Sequence, residues 1–151
     1  MYEAKLTEMG ITLPEAPAPL AAYVPAKQVG DLVYTSGQIP LQAGELNFKG
    51  KVGADLTEEQ AYEAAKICAI NCLSAIKGVI GSLDKIEQIV KVTGFVNSAP
   101  GFSAQPKVLN GASEFFLEVF GDAGRHARAA VGVCELPIDA AVEVDIIVKL
   151  K

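Results

Sequence analysis

The chain has 151 residues, of which 50% are hydrophobic, and a formal net charge of −5; this length and composition fit one domain over residues 1–151 and exclude a disordered chain. The acidic balance disfavours nucleic acid as a partner, since phosphate binding needs clustered Lys and Arg. The sequence contains no run of about 18 apolar residues, so it predicts no membrane span. The chain has three cysteines, and this odd number, together with a start that lacks a signal-peptide pattern, predicts a cytoplasmic protein.

The first 20 residues are predicted to form a short helix and an extended arm. Tyr2 to Met9 has the apolar spacing of an amphipathic helix, and Gly10 is its predicted end. Four prolines follow between residues 14 and 25, and each fixes its own φ angle and disfavours helix in the preceding residue. We expect residues 1–20 to be an N-terminal helix and a proline-rich arm that lies on the surface of the domain.

Two short strands and an irregular segment are predicted next. Tyr23 to Lys27 and Leu32 to Ser36 have strand-forming compositions and are separated by a turn at Val29 to Asp31. Gly37 follows the second strand and permits a close approach of another part of the chain. Residues 44–55 contain three glycines and predict an irregular or bulged connection.

The strongest local signal predicts a long helix from about Thr57 to Ile80. Thr57 and Gln60 match a capping box, in which the Thr hydroxyl and the Gln side chain satisfy free backbone N–H groups. Small and apolar residues recur along one broad face of this segment, and Gly81 is its predicted end. Ile86 to Val96 then has the Ile- and Val-rich composition of a strand.

A second helix and a C-terminal hairpin complete the predicted elements. The helix is predicted at Gln105 to Phe120, with three phenylalanines as its anchors. Ala129 to Leu136 and Ala141 to Leu150 are predicted strands, joined by a turn at Pro137 to Ala140. This order predicts an α+β fold, in which two helices cover one face of a mixed β-sheet.

Two carboxylates on the last predicted strand form a candidate site. The alternation in residues 142–146 places Glu143 and Asp145 on the face opposite the valines. Such a pair can orient a water molecule or move a proton. The same spacing is also typical of the solvent-exposed face of a half-buried strand, so the spacing alone leaves both interpretations open.

Arg128 is a second candidate, because the planar guanidinium of an arginine at the start of a strand can bind a carboxylate through two hydrogen bonds. A surface ion pair is the alternative interpretation. His126 is the chain's one histidine, so a catalytic triad or a metal cluster around it has little support. Cys68 and Cys72 share one helix face, but no further Cys or His follows at zinc-site spacing, and we expect buried core thiols and no metal site.

Three segments occur together in an order that resembles one protein family. They are Tyr23 with GDLVYTSGQIP at residues 30–40, KVTGFV at residues 91–96 leading on to Asn110, and ARAAVGVCELP at residues 127–137 followed by VEV at residues 142–144. Over about residues 20–150 the chain resembles the YjgF/YER057c/UK114 family. These proteins are the reactive intermediate (enamine/imine) deaminases, called endoribonuclease L-PSP in older usage.

The resemblance implies a chorismate-mutase-like α+β fold and a homotrimer with clefts between its subunits. It also implies hydrolysis of 2-imino acids to 2-keto acids and ammonia, without a metal or an organic cofactor. A non-catalytic or chaperone-like trimer that binds a small carboxylate is the main alternative. An endoribonuclease or translation inhibitor is a third hypothesis, disfavoured by the acidic balance and the single histidine.

The family pattern assigns roles to particular residues of this chain. Arg128 matches the arginine that holds the substrate carboxylate, Glu143 the carboxylate that positions the attacking water, and Tyr23 the tyrosine near the imine. The matched residues that line the pocket are Ser36, Gly37 and Asn110. Ala130 stands where many family members have Cys, Ser or Thr, so a side-chain contact at that position is lost.

The predicted C-terminal hairpin places Arg128 and Glu143 apart. With a turn centred near Ile138, Glu143 pairs near Val133 or Cys134, and Arg128 lies roughly 15–18 Å further along at about 3.3 Å per residue. One small imino acid would not contact both side chains of a single chain. We therefore expect a site in which Arg128 of one subunit meets Glu143 of another.

Overall fold

The computed structural model describes residues 1–19 and 22–151; Leu20, the last residue of the predicted arm, lies outside the described residues. The helices are α1 (Tyr2–Glu8), α2 (Glu58–Ile80) and α3 (Gln105–Phe120). The strands are β1 (Ala26–Val29), β2 (Leu32–Thr35), β3 (Leu41–Gln42), β4 (Glu45–Leu46), β5 (Ile86–Asn97), β6 (Ala127–Val133) and β7 (Val142–Leu150). In the described ranges, no helix is long and apolar enough to cross a membrane.

Five strands form one mixed sheet in the order β1-β2-β7-β5-β6. Neighbouring strands of this sheet run antiparallel, except that β6 runs parallel to β5. Strands β3 and β4 form a separate two-stranded hairpin. Helices α2 and α3 pack on one another and on one face of the sheet, which confirms the predicted α+β layout.

Alternation along β7 decides which face of the sheet meets the helices. The buried residues are the alternate ones, Val142, Val144, Ile146 and Val148. The residues between them, Glu143 among them, lie on the opposite, open face of the sheet. A sheet with only one covered face leaves its second face for solvent or for another protein.

Helix α2 begins and ends as the sequence predicts. Thr57 Oγ1 accepts a hydrogen bond from Gln60 N at 3.1 Å, and Gln60 Oε1 accepts one from Thr57 N at 2.9 Å. The N-cap of this reciprocal capping box stabilises the start of the helix by about 1 kcal/mol. Gly81 ends the helix with a φ of 84°, a backbone conformation that favours glycine.

Two glycines allow α3 to approach both α2 and the sheet closely. A Cβ added to Gly111 would lie 2.0 Å from the Tyr62 carbonyl oxygen of α2. On the sheet side, a Cβ added to Gly94 would lie 2.0 Å from Leu109 Cδ1 of α3. These contacts fix the height of α3 above the sheet, and therefore the position of the side chains that α3 directs toward β6.

The predicted C-terminal hairpin is wrong. Strand β5 lies between β6 and β7, and β6 pairs with β5 in parallel, with Arg128 opposite Val92. Between β6 and β7 the chain makes a 3-10 turn at Pro137–Asp139, where Ile138 has a φ of 49°, and crosses the end of β5. Proximity in sequence favours a hairpin, but α3 packs on the sheet and returns the chain parallel to β5, as in a βαβ unit.

Two strand boundaries also differ from those predicted. Strand β1 begins at Ala26 rather than at Tyr23, because Pro25 has no N–H group to donate to a neighbouring strand. Strand β6 spans Ala127–Val133 rather than residues 129–136, since its partner β5 ends at Asn97, opposite Val133. Arg128 therefore lies within a strand at the edge of the sheet.

Candidate functional site

The predicted site residues divide into two groups. Tyr23, Gly37 and Glu143 line a cavity of about 550 Å³ beside β2 and β7. Arg128 and Asn110 are hydrogen-bonded to each other where α3 packs against β6. The first group contains the residue to which the resemblance assigns the activation of water, and the second contains the arginine to which it assigns the binding of a carboxylate.

Glu143 reaches the cavity past the backbone of Gly37. Two backbone hydrogen bonds between Gln38 and Val144, of 2.8 and 3.0 Å, hold the chain after β2 beside β7. A Cβ on Gly37 would lie 1.9 Å from Glu143 Oε1, so glycine at this position leaves the room that the carboxylate occupies. The close approach that the sequence predicts at Gly37 is made by Glu143.

Burial changes the acidity of the two carboxylates on β7. Desolvation raises the pKa of Glu143 above its ordinary value, and the neighbouring charge of Asp145 raises it further. Burial also raises the pKa of Asp145, although the positive charge of Lys91 opposes this. A carboxylate with a raised pKa is suited to accept a proton from water and to return it to a leaving group.

Ser36 supports the segment that carries Tyr23. Tyr23 lines the cavity and keeps 56% of its surface exposed. The Ser36 hydroxyl donates a hydrogen bond to the Val24 carbonyl oxygen at 2.6 Å, and the Ser36 N–H donates one to the Pro25 carbonyl oxygen at 2.8 Å. Ser36 is not among the described residues that line the cavity, so its contacts position the neighbouring tyrosine.

Two side chains of α3 hold Arg128. Its Nη1 donates hydrogen bonds to Asn110 Oδ1 at 2.9 Å and to Ser113 Oγ at 3.1 Å. Asn110 and Ser113 are three residues apart on α3, so they project from the same side of the helix. Among the described residues the other guanidinium nitrogens make no hydrogen bond, which leaves them for the carboxylate of a ligand.

His126 extends this hydrogen-bond network. Its Nδ1 lies 2.6 Å from the Gly124 carbonyl oxygen, which can only accept, so Nδ1 carries the proton. Its Nε2 lies 2.9 Å from Ser113 Oγ and accepts the hydroxyl proton when the ring is neutral. Burial lowers the pKa of His126, and the charge of Arg128 lowers it as well, against the opposing effect of the Gly124 bond. A neutral His126 therefore orients the Ser113 hydroxyl so that its oxygen accepts from Arg128.

The two groups do not meet within one chain. Glu143 pairs with Phe95 of β5, and not with Val133 or Cys134 as the predicted hairpin required. The spacing and rise of the strands place the Cα atoms of Arg128 and Glu143 about 14 Å apart. Arg128 also faces α3, whereas Glu143 lies on the open side of the sheet. A small ligand cannot bridge the two side chains inside one subunit.

The two cysteines of α2 are core residues, as the sequence predicts. Cys68 and Cys72 are fully buried, and their Sγ atoms lie 3.6 and 3.3 Å from the carbonyl oxygens of Val142 and Val144. Burial raises the pKa of both thiols, so they stay protonated and unreactive. In the part of the chain that the structure describes, no group of three or more His, Cys, Asp or Glu side chains is placed to hold a metal ion.

Four residues with a place in or beside the site escape sequence-based prediction: Asn71, Ser74, Gly78 and Ser113. The sequence offers His126 only for a triad or a metal cluster, and not as the hydrogen-bond partner of Ser113. Asn71 and Ser74 line the Glu143 cavity, and Gly78 follows one helical turn later on the same face of α2. The sequence feature that could have identified these three residues of α2 is the spacing of polar and small residues along one face of a mainly apolar helix. Ser113 has the corresponding spacing of three residues from Asn110.

Residues 3–150 match the model of the family described as "YjgF/chorismate mutase-like, putative endoribonuclease". The chain belongs to this family. Protein TCP17 of Trypanosoma cruzi is 45% identical over 148 residues, which are 97% of this chain and 92% of that protein. The 2-iminobutanoate/2-iminopropanoate deaminase of Dermatophagoides farinae is 33% identical over 142 residues, which are 93% of this chain and 95% of that protein.

A solved crystal structure has the same architecture. The crystal structure of Atu1372, a protein of unknown function from Agrobacterium tumefaciens, matches with a TM-score of 0.92 at 44% identity, and the match covers 99% of this chain and 93% of that one. The chorismate-mutase-like α+β fold that the resemblance implies is confirmed. Because the names within the family include both a deaminase and an endoribonuclease, the choice between reactions rests on the geometry of the site.

Proposed function

We propose that this YjgF-family protein hydrolyses 2-imino acids to 2-keto acids and ammonia in the cytoplasm, in a cleft between the subunits of a homotrimer. The observation that carries the proposal is the division of the site into a carboxylate-binding group at Arg128 and a proton-transfer group at Glu143. The substrates named for the mite relative, 2-iminobutanoate and 2-iminopropanoate, support this substrate class. The chemistry needs neither a metal nor an organic cofactor.

Arg128 binds the carboxylate of the substrate. Asn110 and Ser113 fix its Nη1, so the remaining N–H groups form a rigid fork whose spacing matches the two oxygens of a carboxylate. Holding the carboxylate fixes C2, the imine carbon, relative to the attacking water before any bond changes. This prior positioning removes part of the entropic barrier to the reaction.

Glu143 moves the protons. Its carboxylate accepts a proton from water while the water oxygen bonds to C2 and the C=N electron pair moves to the nitrogen. Glu143 then passes that proton to the nitrogen, which becomes an amino group. Glu143 next takes the proton of the C2 hydroxyl and delivers it to the amino nitrogen, so that the oxygen electron pair forms the keto C=O, the C–N bond breaks and ammonia leaves. The raised pKa of Glu143 suits these transfers in both directions, and we assign Tyr23 of the same cavity to the imine end of the substrate.

A second subunit would bring the two groups together. Strand β6 is an edge strand of the sheet, so Arg128 lies where another chain can approach. The open face of the sheet carries Phe95, Val131 and Ile147, of which Val131 is 43% exposed, and an exposed apolar face is typical of an interface. In a closed ring, Arg128 of each subunit would meet Glu143 of a neighbour.

The direct test follows the decay of 2-iminopropanoate and 2-iminobutanoate, which an amino-acid oxidase generates in situ. We expect the wild-type protein to accelerate keto-acid formation and Arg128→Ala to lower kcat/KM by about 100-fold or more. Arg125→Ala is the matched control, because the Arg125 side chain is 75% exposed and pairs with Asp122. Equal rates with and without the wild-type protein, across several imino acids, would contradict the proposal.

A small-carboxylate-binding or chaperone-like trimer is the alternative that the same geometry allows. The network of Arg128, Asn110, Ser113 and His126 is complete without Glu143, so it could bind a keto acid without any hydrolysis. Saturable binding of pyruvate that is lost in Arg128→Ala, without faster imine decay, would select this alternative. Endoribonuclease activity is disfavoured by the net charge of −5, which repels RNA.

A further inference from the structure

The N-terminal arm forms one wall of the Glu143 cavity. Pro14, Glu15, Pro17 and Ala18 line the cavity together with Glu143. These arm residues belong to no helix or strand, but the prolines restrict their backbone angles before any ligand binds. The wall is therefore conformationally restricted, although it has no regular secondary structure.

Helix α2 fixes the arm at two points. The buried hydroxyl of Ser74 donates a hydrogen bond to the Pro14 carbonyl oxygen at 2.5 Å. One turn further along α2, a Cβ added to Gly78 would lie 2.5 Å from the Ala16 Cβ, so one of the two would have to move. A glycine inside a helix is destabilising relative to alanine, and the contact with Ala16 accounts for glycine at this position.

The same face of α2 also holds the opposite wall of the cavity. Asn71 Nδ2 donates hydrogen bonds to the carbonyl oxygens of Ile39 and Leu41, each at 3.0 Å. Asn71, Ser74 and Gly78 follow one another at spacings of three and four residues, so they lie on one helix face. Helix α2 therefore sets the width of the cavity between the arm and the segment that follows β2.

The size and chemistry of the cavity indicate the ligand that it favours. Its volume of about 550 Å³ is far larger than the volume that the methyl group of 2-iminopropanoate would fill. Its wall is mainly apolar, so a longer hydrocarbon side chain gains binding energy by leaving water. Glu15 is the charged residue of the arm at this wall, and its carboxylate repels an acidic side chain.

We propose that the arm, residues 14–18, forms the side-chain subsite of the hydrolase and selects 2-imino acids with large apolar side chains over alanine-derived and acidic ones. This inference rests on the proposed hydrolysis. It specifies which 2-imino acids the site prefers. The arm is separate from the residues that we assign to the reacting atoms, so it acts on the choice of substrate and not on the chemical step.

The test compares kcat/KM for the imino acids that an amino-acid oxidase produces from leucine, alanine and glutamate. The wild-type protein is expected to prefer the leucine-derived substrate over each of the other two by about 10-fold or more. Gly78→Leu displaces Ala16 and should lower kcat/KM for the leucine-derived imino acid about 10-fold. The change in kcat/KM for the alanine-derived imino acid should be less than about 2-fold. Val79→Leu is the matched control, because Val79 is the next residue of α2 and is 42% exposed.

A second variant keeps the test informative if Gly78→Leu fails to fold. Ser74→Ala removes the other attachment of the arm without adding volume, and it should shift the substrate preference in the same direction as Gly78→Leu. An equal loss of activity on leucine- and alanine-derived substrates in both variants would overturn the inference. A wild-type protein without preference would overturn it as well.

Binding measurements separate the failure of this inference from the failure of the proposed hydrolysis. If the wild-type protein hydrolyses none of the imino acids, the proposed reaction is wrong, and NMR titrations with 4-methyl-2-oxopentanoate and pyruvate then test the subsite. Tighter binding of 4-methyl-2-oxopentanoate that Gly78→Leu weakens would support the subsite. Equal binding of the two keto acids, or no binding, would overturn it.

Discussion

Folding raises the pKa of the half-buried carboxyl group of Glu143, because desolvation and the charge of Asp145 penalise its ionised form. The pKa of the same group in the unfolded chain is lower, so the folded state binds more protons than the unfolded state between the two values. The free energy of unfolding therefore falls as the pH rises through that interval. At neutral pH, ionisation of Glu143 therefore lowers the free energy of unfolding.

Replacing this charge by a neutral side chain of the same shape separates stability from activity. At pH 7 we expect Glu143→Gln to unfold at the same or a higher temperature than the wild type, while kcat/KM falls by about 100-fold or more. Below about pH 4 the difference in unfolding temperature should vanish, because the wild-type carboxyl is then protonated too. Thermal unfolding at both pH values checks this, with the exposed Glu45→Gln as control. A less stable Glu143→Gln at pH 7 with retained activity would contradict the assignment.

At the scale of secondary-structure elements, α3 positions the arginine of β6. Removing the Ser113 hydroxyl deletes the 3.1 Å bond to Arg128 and leaves Nε2 of His126 without this partner. We expect Ser113→Ala to raise KM for the imino acid about 10-fold with kcat nearly unchanged, since a bond to a charged group is lost from a contact made throughout the reaction. Steady-state kinetics measure this, with the exposed Ser103→Ala as control. A fall in kcat at constant KM would show that Ser113 acts on the chemical step instead.

The sequence predicts those elements whose signals are local. The capping box of Thr57 and Gln60 and the apolar spacing within residues 105–120 depend on neighbours within a turn or two, and both helices form at the predicted positions. The pairing of β6 depends on where α3 returns the chain, which is a non-local property, so the predicted hairpin failed. Ser113 and the role of His126 as its hydrogen-bond partner escape prediction for the same reason, because these contacts beside Arg128 depend on how α3 packs against β6.

At the scale of the whole molecule, one sheet separates the two halves of the candidate site. The family pattern proposes Arg128, Glu143 and Tyr23 as site residues from the sequence, but only the strand order shows that Arg128 faces α3 while Glu143 lies on the open face. Each chain thus carries the proposed carboxylate-binding arginine and the proposed proton-transfer glutamate at positions from which they cannot act on the same small ligand. An assembly that joins the arginine of one copy to the glutamate of another resolves this separation.

Mixing two inactive variants tests such a shared site most directly. Arg128→Ala keeps Glu143 and Glu143→Gln keeps Arg128, so each variant alone should be inactive. Co-expression with two different affinity tags, followed by purification on both tags, isolates those of the proposed trimers that contain both variants. Random assembly would give an intact Arg128 facing an intact Glu143 in about a quarter of the sites, and somewhat more in doubly purified trimers. We predict recovery of at least about a quarter of the wild-type activity, whereas doubly purified trimers with no activity would contradict a site shared between subunits.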